Sequence, residues 1–166
     1  MYITKKKFEE KAQSIGGKHW ATYEDRWEYY QKTIKLIKEL KLKPEEILEI
    51  GSVGIKLIDG SDELDYDAKP VWQTFNPTYY HDLKSFPYPI KDKQYKLVVA
   101  LRVFHHLHGL QHKCFKEIFR ITDNFIMAIP YSKYNIKDVI EWAGSDPDQI
   151  SPCVDTSTHI YFWKNI

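Results

Sequence analysis

The segment Ile47-Leu48-Glu49-Ile50-Gly51-Ser52-Val53-Gly54 constrains this chain more than any other. An apolar run of this kind suits a parallel strand covered on both faces, where side chains of either parity meet a core. The glycines that follow suit a tight turn whose backbone a ligand can approach closely. A Gly-x-x-Gly turn after a strand also serves as plain punctuation, so a functional reading needs a second signal.

Apolar spacing divides the rest of the chain into helices and strands. Tyr23, Trp27, Tyr30, Ile34, Ile37 and Leu40 recur at helical intervals and predict an amphipathic helix over 22–42. Pro44 ends it, and the 47–50 strand follows. Further strands are expected at 63–67, 78–80, 95–101, 124–129 and 158–163, with helices at 112–121 and 136–142. Between Gly51 and Ser61 there is room for barely one helical turn. Parallel neighbours normally need a crossover of about a dozen residues or more. Either the second strand pairs by a short route or the sheet edge is rebuilt.

A length of 166 residues fits one domain. Lys and Arg total 24 against 23 for Asp and Glu, so no global field favours nucleic acid or an anionic membrane. Cys114 and Cys153 lack metal spacing and read as free thiols of a reducing compartment. With no signal-like leader and no apolar run of membrane-spanning length, a soluble cytoplasmic protein is expected. Aromatic residues make up 15% of the chain, but they follow the amphipathic segments and read as core more readily than as a base-stacking surface.

The second signal runs through Tyr80-His81-Asp82-Leu83-Lys84-Ser85-Phe86-Pro87-Tyr88-Pro89-Ile90, then Tyr95-Lys96-Leu97-Val98-Val99-Ala100-Leu101-Arg102-Val103-Phe104-His105-His106-Leu107. Taken with Glu49 and Gly51, this series resembles the class I S-adenosylmethionine-dependent methyltransferases across roughly residues 45–131. The resemblance implies a single-domain Rossmann-like α/β fold with a mostly parallel central sheet flanked by helices and an abbreviated first crossover. Its parts would be an N-terminal helical and lid segment (1–44), a cofactor-binding core (45–131) and a C-terminal helix with an edge strand (132–166). The implied cofactor is S-adenosylmethionine, placed beyond the carboxyl ends of the strands. By the same resemblance Glu49 and Gly51 lie beside its methionine part, Asp65 accepts its ribose hydroxyls, Asp82 and Leu83 flank the adenine, and Leu101 and Arg102 lie under the ligand. Tyr23, with His19, stands where related enzymes fold an aromatic lid, and Tyr131 stands where the acceptor enters.

Each of these residues also has a purely structural reading. Acidic residues at strand ends often cap helices or bind turn amides, which applies to Glu49, Asp65 and Asp82 alike. Val53 and Ile55 stand where the family usually has glycines, and their branched side chains are expected to crowd the loop. His105 departs from the family's common Glu and reads either as a general base or as a surface histidine. His105, His106, His108 and His112 sit close in sequence, but no Cys or carboxylate completes a ligand set, and no metal is expected.

Three readings follow. The leading one is methyl transfer from S-adenosylmethionine to a small or polar small-molecule acceptor, with no membrane partner and an undefined oligomeric state. The second is a non-catalytic methyltransferase-like module that binds a nucleoside or a partner protein. The third is nucleic-acid binding, which predicts a steep salt dependence that a neutral-substrate enzyme lacks.

Overall fold

The computed structural model describes residues 1–15, 23–66 and 76–166, leaving the side chains of Tyr23 and Glu24 outside that description. Among the described residues the α-helices are α1 (Lys5–Ile15), α2 (Tyr23–Leu40), α3 (Gln111–Ile121) and α4 (Ile136–Ala143). The strands are β1 (Ile47–Ile50), β2 (Asp62–Asp65), β3 (Tyr79–Tyr80), β4 (Leu97–Leu101), β5 (Phe125–Pro130), β6 (Gln149–Cys153) and β7 (Thr158–Trp163). They form one sheet in the order β3-β2-β1-β4-β5-β7-β6. The first five run parallel, and β7 inserts antiparallel between β5 and β6. This is the expected Rossmann-like α/β architecture, with a mostly parallel sheet flanked by helices.

Every residue of β1 and β5 is buried, as strands covered on both faces require. On one face Phe8 and Ala12 of α1 and Tyr29, Tyr30, Ile34 and Ile37 of α2 pack against Ile47, Leu97, Val99, Ile126 and Ala128. On the other, Cys114, Phe115 and Ile118 of α3 and Val139 of α4 pack against Leu48, Val98, Ala100, Phe125 and Met127. Asn135 and Asp138 form a reciprocal cap at the start of α4, and Gly144 closes it in the left-handed region at φ 70°. Both cysteines are buried free thiols.

The first crossover takes the short route. β1 joins β2 through residues 51–61 without a helix, in parallel register from Leu48 opposite Asp62 to Ile50 opposite Leu64. Gly51, Val53, Gly54 and Gly60 all adopt positive φ, which a right-handed helix excludes. Carboxylates satisfy donors that a helix would have paired internally. Glu49 accepts from the Leu57 amide (2.6 Å), the Ile58 amide (3.1 Å) and the Ser61 hydroxyl (2.7 Å). Glu63 accepts from the Gly54 amide (3.0 Å) and the Ser52 hydroxyl, and Asp65 accepts from the Val53 amide (2.8 Å). The N-terminus completes the arrangement: the Ile3 amide donates to Leu57, and the Asp59 amide donates to the Met1 carbonyl.

Candidate functional site

β1, β2 and β4 end at the same edge of the sheet, as parallel strands must, and ligands of open α/β sheets lie beyond such ends. There a cleft of about 290 Å³ opens, lined by Gly51, Leu64, Asp65, Tyr66, His81, Asp82, Leu83, Lys84, Val103, His106 and Leu107. Gly51 sits at its base with φ +65°, and a Cβ there would lie 2.6 Å from Val103 Cγ2. Conformation and space thus both demand glycine.

Asp65 projects from the end of β2. One carboxylate oxygen accepts the Val53 amide, and the other accepts the Tyr66 amide at 2.7 Å. Asp82 turns the next loop, accepting the Lys84 amide at 2.9 Å in an Asx-type turn while its carbonyl accepts from Ser85. The Leu83 carbonyl is held by the Tyr88 hydroxyl at 3.1 Å. The loop itself is clamped to α3. Arg120 donates to the Ile90 carbonyl at 2.8 Å and to Asp92 and Glu117 at 2.7 Å, while Glu117 accepts the Tyr88 amide at 2.8 Å. Asp82 and Leu83 are therefore presented by a braced segment.

Of the residues expected at the site, Gly51, Asp65, Asp82 and Leu83 meet in this cleft. Glu49 and Leu101 instead line a second cavity of about 10 Å³, with Tyr30, Ser52, Ile55 and Val99, which adjoins the cleft at Gly51. That is space for about one water. Glu49 is 3% exposed, and burial raises its carboxyl to about 7 against the opposing pull of its three hydrogen bonds. Ile55 is buried in the core on the α2 side, where its carbonyl accepts from Tyr30, and does not line the cleft. Val53 occupies the left-handed region at φ 47°, a strained conformation for a β-branched residue.

The turn after β4 separates two environments. Val103, His106 and Leu107 line the cleft, whereas Arg102 donates to Thr158 Oγ1 on β7 at 3.0 Å. His105 is 8% exposed, and burial with neighbouring cations pushes its imidazole down to about 3, so it is neutral at physiological pH. Tyr131 is exposed and packs on His159 with ring centroids 4.7 Å apart, beside an open groove of about 520 Å³. Tyr23 opens α2, and His19 lies outside the described residues. No group of three or more His, Cys, Asp or Glu able to hold a metal occurs among the described residues. No helix among them is long and apolar enough to cross a membrane.

Tyr66, His81, Lys84, Val103 and His106 are cleft residues that the sequence reading does not single out as site residues. Each lies next to a candidate it does name, or within two residues of one. The usable signal was therefore proximity to Asp65, Asp82 and His105.

No family model and no curated protein matches this sequence. Solved structures do. A SAM-dependent methyltransferase from Aquifex aeolicus superposes with a TM-score of 0.55 at 14% identity, covering 80% of this chain and 88% of the other. The 16S rRNA methylase RmtB gives a TM-score of 0.60 at 12% identity, covering 100% and 77% respectively. A putative type 11 methyltransferase from Sulfolobus solfataricus gives 0.52 at 16% identity, covering 72% and 83%. At such identities the likeness establishes the fold, and the fold is that of the class I S-adenosylmethionine-dependent methyltransferases.

Proposed function

We propose that this chain, folded as a class I methyltransferase, binds S-adenosylmethionine beyond the carboxyl ends of β1 and β2 and transfers the methyl group to a small or polar acceptor. The observation that carries the reading is the convergence of Gly51, Asp65, Asp82 and Leu83 on one cleft of about 290 Å³. Its volume lies near the lower end of ordinary ligand pockets. Two carboxylates beside the apolar Leu64, Leu83, Val103 and Leu107 suit a nucleoside, which has polar edges and an apolar face.

When bound, the cofactor supplies an electrophilic methyl group on a sulfonium. Asp65 accepts hydrogen bonds from the ribose hydroxyls, Asp82 and Leu83 bracket the adenine, and Gly51 lets the backbone come close. His106 and Val103 wall the cleft at the end of β4. Transfer would be an in-line displacement at the methyl carbon, an acceptor lone pair forming the new bond as the carbon–sulfur bond breaks to leave a neutral thioether, so it depends chiefly on alignment and exclusion of water. In this reading His105, neutral and buried, offers the acceptor a hydrogen bond rather than strong basicity, because a group titrating near 3 takes up protons poorly at neutral pH. Tyr131 positions the far end of the acceptor.

The test is transfer of label from methyl-tritiated S-adenosylmethionine to a panel of small acceptors. Transfer by the wild type, lost in Asp65→Ala, supports the proposal; cofactor binding without transfer to any acceptor favours a non-catalytic module. One observation favours that second reading: beside Glu49 and Leu101, where a methionine tail is expected, the cavity is only about 10 Å³. As folded, the site suits the nucleoside better than the amino-acid tail.

A further inference from the structure

We propose that the acceptor carries a compact terminal oxyanion, a carboxylate or a phosphate, bound by Arg102, His105 and Thr156 where α2 meets the turn between β6 and β7. This assignment rests on the methyltransferase reading above and names the class of its second substrate.

Four buried side-chain polar atoms lack a hydrogen-bond partner among the described residues: Thr33 Oγ1, Arg102 Nε, His105 Nδ1 and Thr156 Oγ1. Buried polar groups are almost always paired, and one left without a partner calls for an explanation. Three of these four are connected: Arg102 reaches Thr156 through Thr158, and its charge acts on His105. Arg102 Nη1 donates to Thr158 Oγ1 at 3.0 Å, and Thr158 Oγ1 donates to the Thr156 carbonyl at 3.0 Å. His105 lies three residues beyond Arg102 on the same turn. The Arg102 amide donates to the Ala128 carbonyl at 2.8 Å, and the residue is held at φ 61°. The side chain is thereby fixed at the end of β4 at some cost in backbone strain.

The charged groups that act on His105 are of one sign. The groups acting most strongly on His105 are His106, Arg102, Lys133 and Arg26, all able to carry positive charge. Arg26 also hydrogen-bonds the Tyr29 hydroxyl on the same face. Asp155, the chain neighbour of Thr156, is exposed, while three other carboxylates at this end of the sheet have partners of their own. Glu28 accepts from Lys32 and from the Val154 and Asp155 amides, while Glu49 and Glu63 are taken up by the 51–61 loop. Guanidinium Nε–H, a hydroxyl and a neutral imidazole can each donate, and an oxyanion accepts from all three. Because His105 is 8% exposed, only a compact terminal group reaches it. Val103 and His106 of the same turn face the cleft. An anion held by Arg102 and His105 thus lies across one turn of chain from the cofactor.

The test records the Arg102 Nε–H and His105 ring resonances by NMR in the protein without cofactor, titrated separately with inorganic phosphate and with acetate at constant ionic strength. The expected result is a saturable shift of both signals by at least one anion, and the tighter of the two identifies the acceptor's group. The apparent Kd should rise about tenfold in Arg102→Gln, as loss of a charge-assisted hydrogen bond implies. It should rise about threefold in Lys133→Gln, whose exposed side chain contributes through charge alone. The absence of a saturable shift with either anion, or an unchanged Kd in both variants, would overturn the proposal. A single-stranded oligoribonucleotide binding here more tightly than both small anions would overturn the small-acceptor assignment. The experiment uses no cofactor. Anion binding without any binding of S-adenosylhomocysteine would therefore remove the methyltransferase reading while leaving the anion site in place.

Discussion

The Asp65 carboxylate accepts the Val53 amide at 2.8 Å and so ties a β-branched residue, held at φ 47°, to the residue proposed for the ribose. One oxygen of Asp65 is thus engaged by the loop it faces. Asp65→Asn can still accept from the Val53 amide but loses the charge, whereas Asp65→Ala loses both. Asp65→Ala should be destabilised by roughly 1–2 kcal/mol and Asp65→Asn by less, with urea denaturation as the measurement. Equal stability loss in the two variants would mean that charge, rather than the loop bond, dominates at this position.

Val53→Gly separates strain from packing. Relief of the left-handed strain is worth about 1–2 kcal/mol, while added unfolded-state freedom costs about 0.5–1 kcal/mol and the lost apolar contact a similar amount. Stability should therefore change by less than about 1 kcal/mol. The freed loop should bind S-adenosylhomocysteine at least about threefold more tightly, because glycine accommodates several loop conformations. Calorimetry showing weaker binding by Val53→Gly would contradict this.

Gly51 and Val103 should be energetically coupled. Gly51→Ala places a Cβ 2.6 Å from Val103 Cγ2 and forces alanine to φ +65°. The cost should be about 2 kcal/mol or more. Val103→Ala removes the clash but not the backbone strain, so the double variant should be more stable than the sum of single losses predicts, by about 0.5–1 kcal/mol. Strict additivity in denaturant unfolding would place the whole cost in the backbone.

Glu49 and His105 give stability opposite dependences on pH. Burial raises Glu49 from 4.5 to about 7, so its contribution is full below pH 4.5 and is lost as pH rises through 7, by roughly 3 kcal/mol at most. His105 is lowered from 6.5 to about 3, so its contribution is full above pH 6.5 and is lost as pH falls toward 3. Glu49→Gln removes only the first effect. Its stability relative to wild type should therefore improve steadily between pH 5 and pH 8 in urea unfolding. A constant difference across that window would show that Glu49 is ionised throughout.

Much of the sheet can be read from local pattern, because β1, β4, β5 and β7 are apolar runs and α2, α3 and α4 carry clear helical spacing. α1 is not legible: it buries only Phe8 and Ala12, too narrow a stripe to stand out among its lysines and glutamates. β6 is masked by Pro152 and by its exposure, both tolerated because it is an edge strand. At the site, the family resemblance points to Gly51, Asp65, Asp82 and Leu83, which line the cleft, and equally to Glu49, Leu101 and Arg102, which do not. What it does not reveal is that Glu49, Glu63 and Asp65 replace a crossover helix by gathering loop donors. That depends on long-range geometry, as does the turn that sends His106 to the cleft and buries His105 elsewhere.

On the proposed function, the cleft binds S-adenosylmethionine through its nucleoside and the 51–61 loop yields to the methionine tail. Calorimetric titration of the wild type and Asp65→Asn with S-adenosylhomocysteine and with adenosine tests it most directly. S-adenosylhomocysteine should bind at least about tenfold more tightly than adenosine, and Asp65→Asn should weaken both by about tenfold. Equal affinity for the two ligands would show that the tail finds no place and that the chain is a nucleoside-binding module; binding of neither would contradict the account altogether.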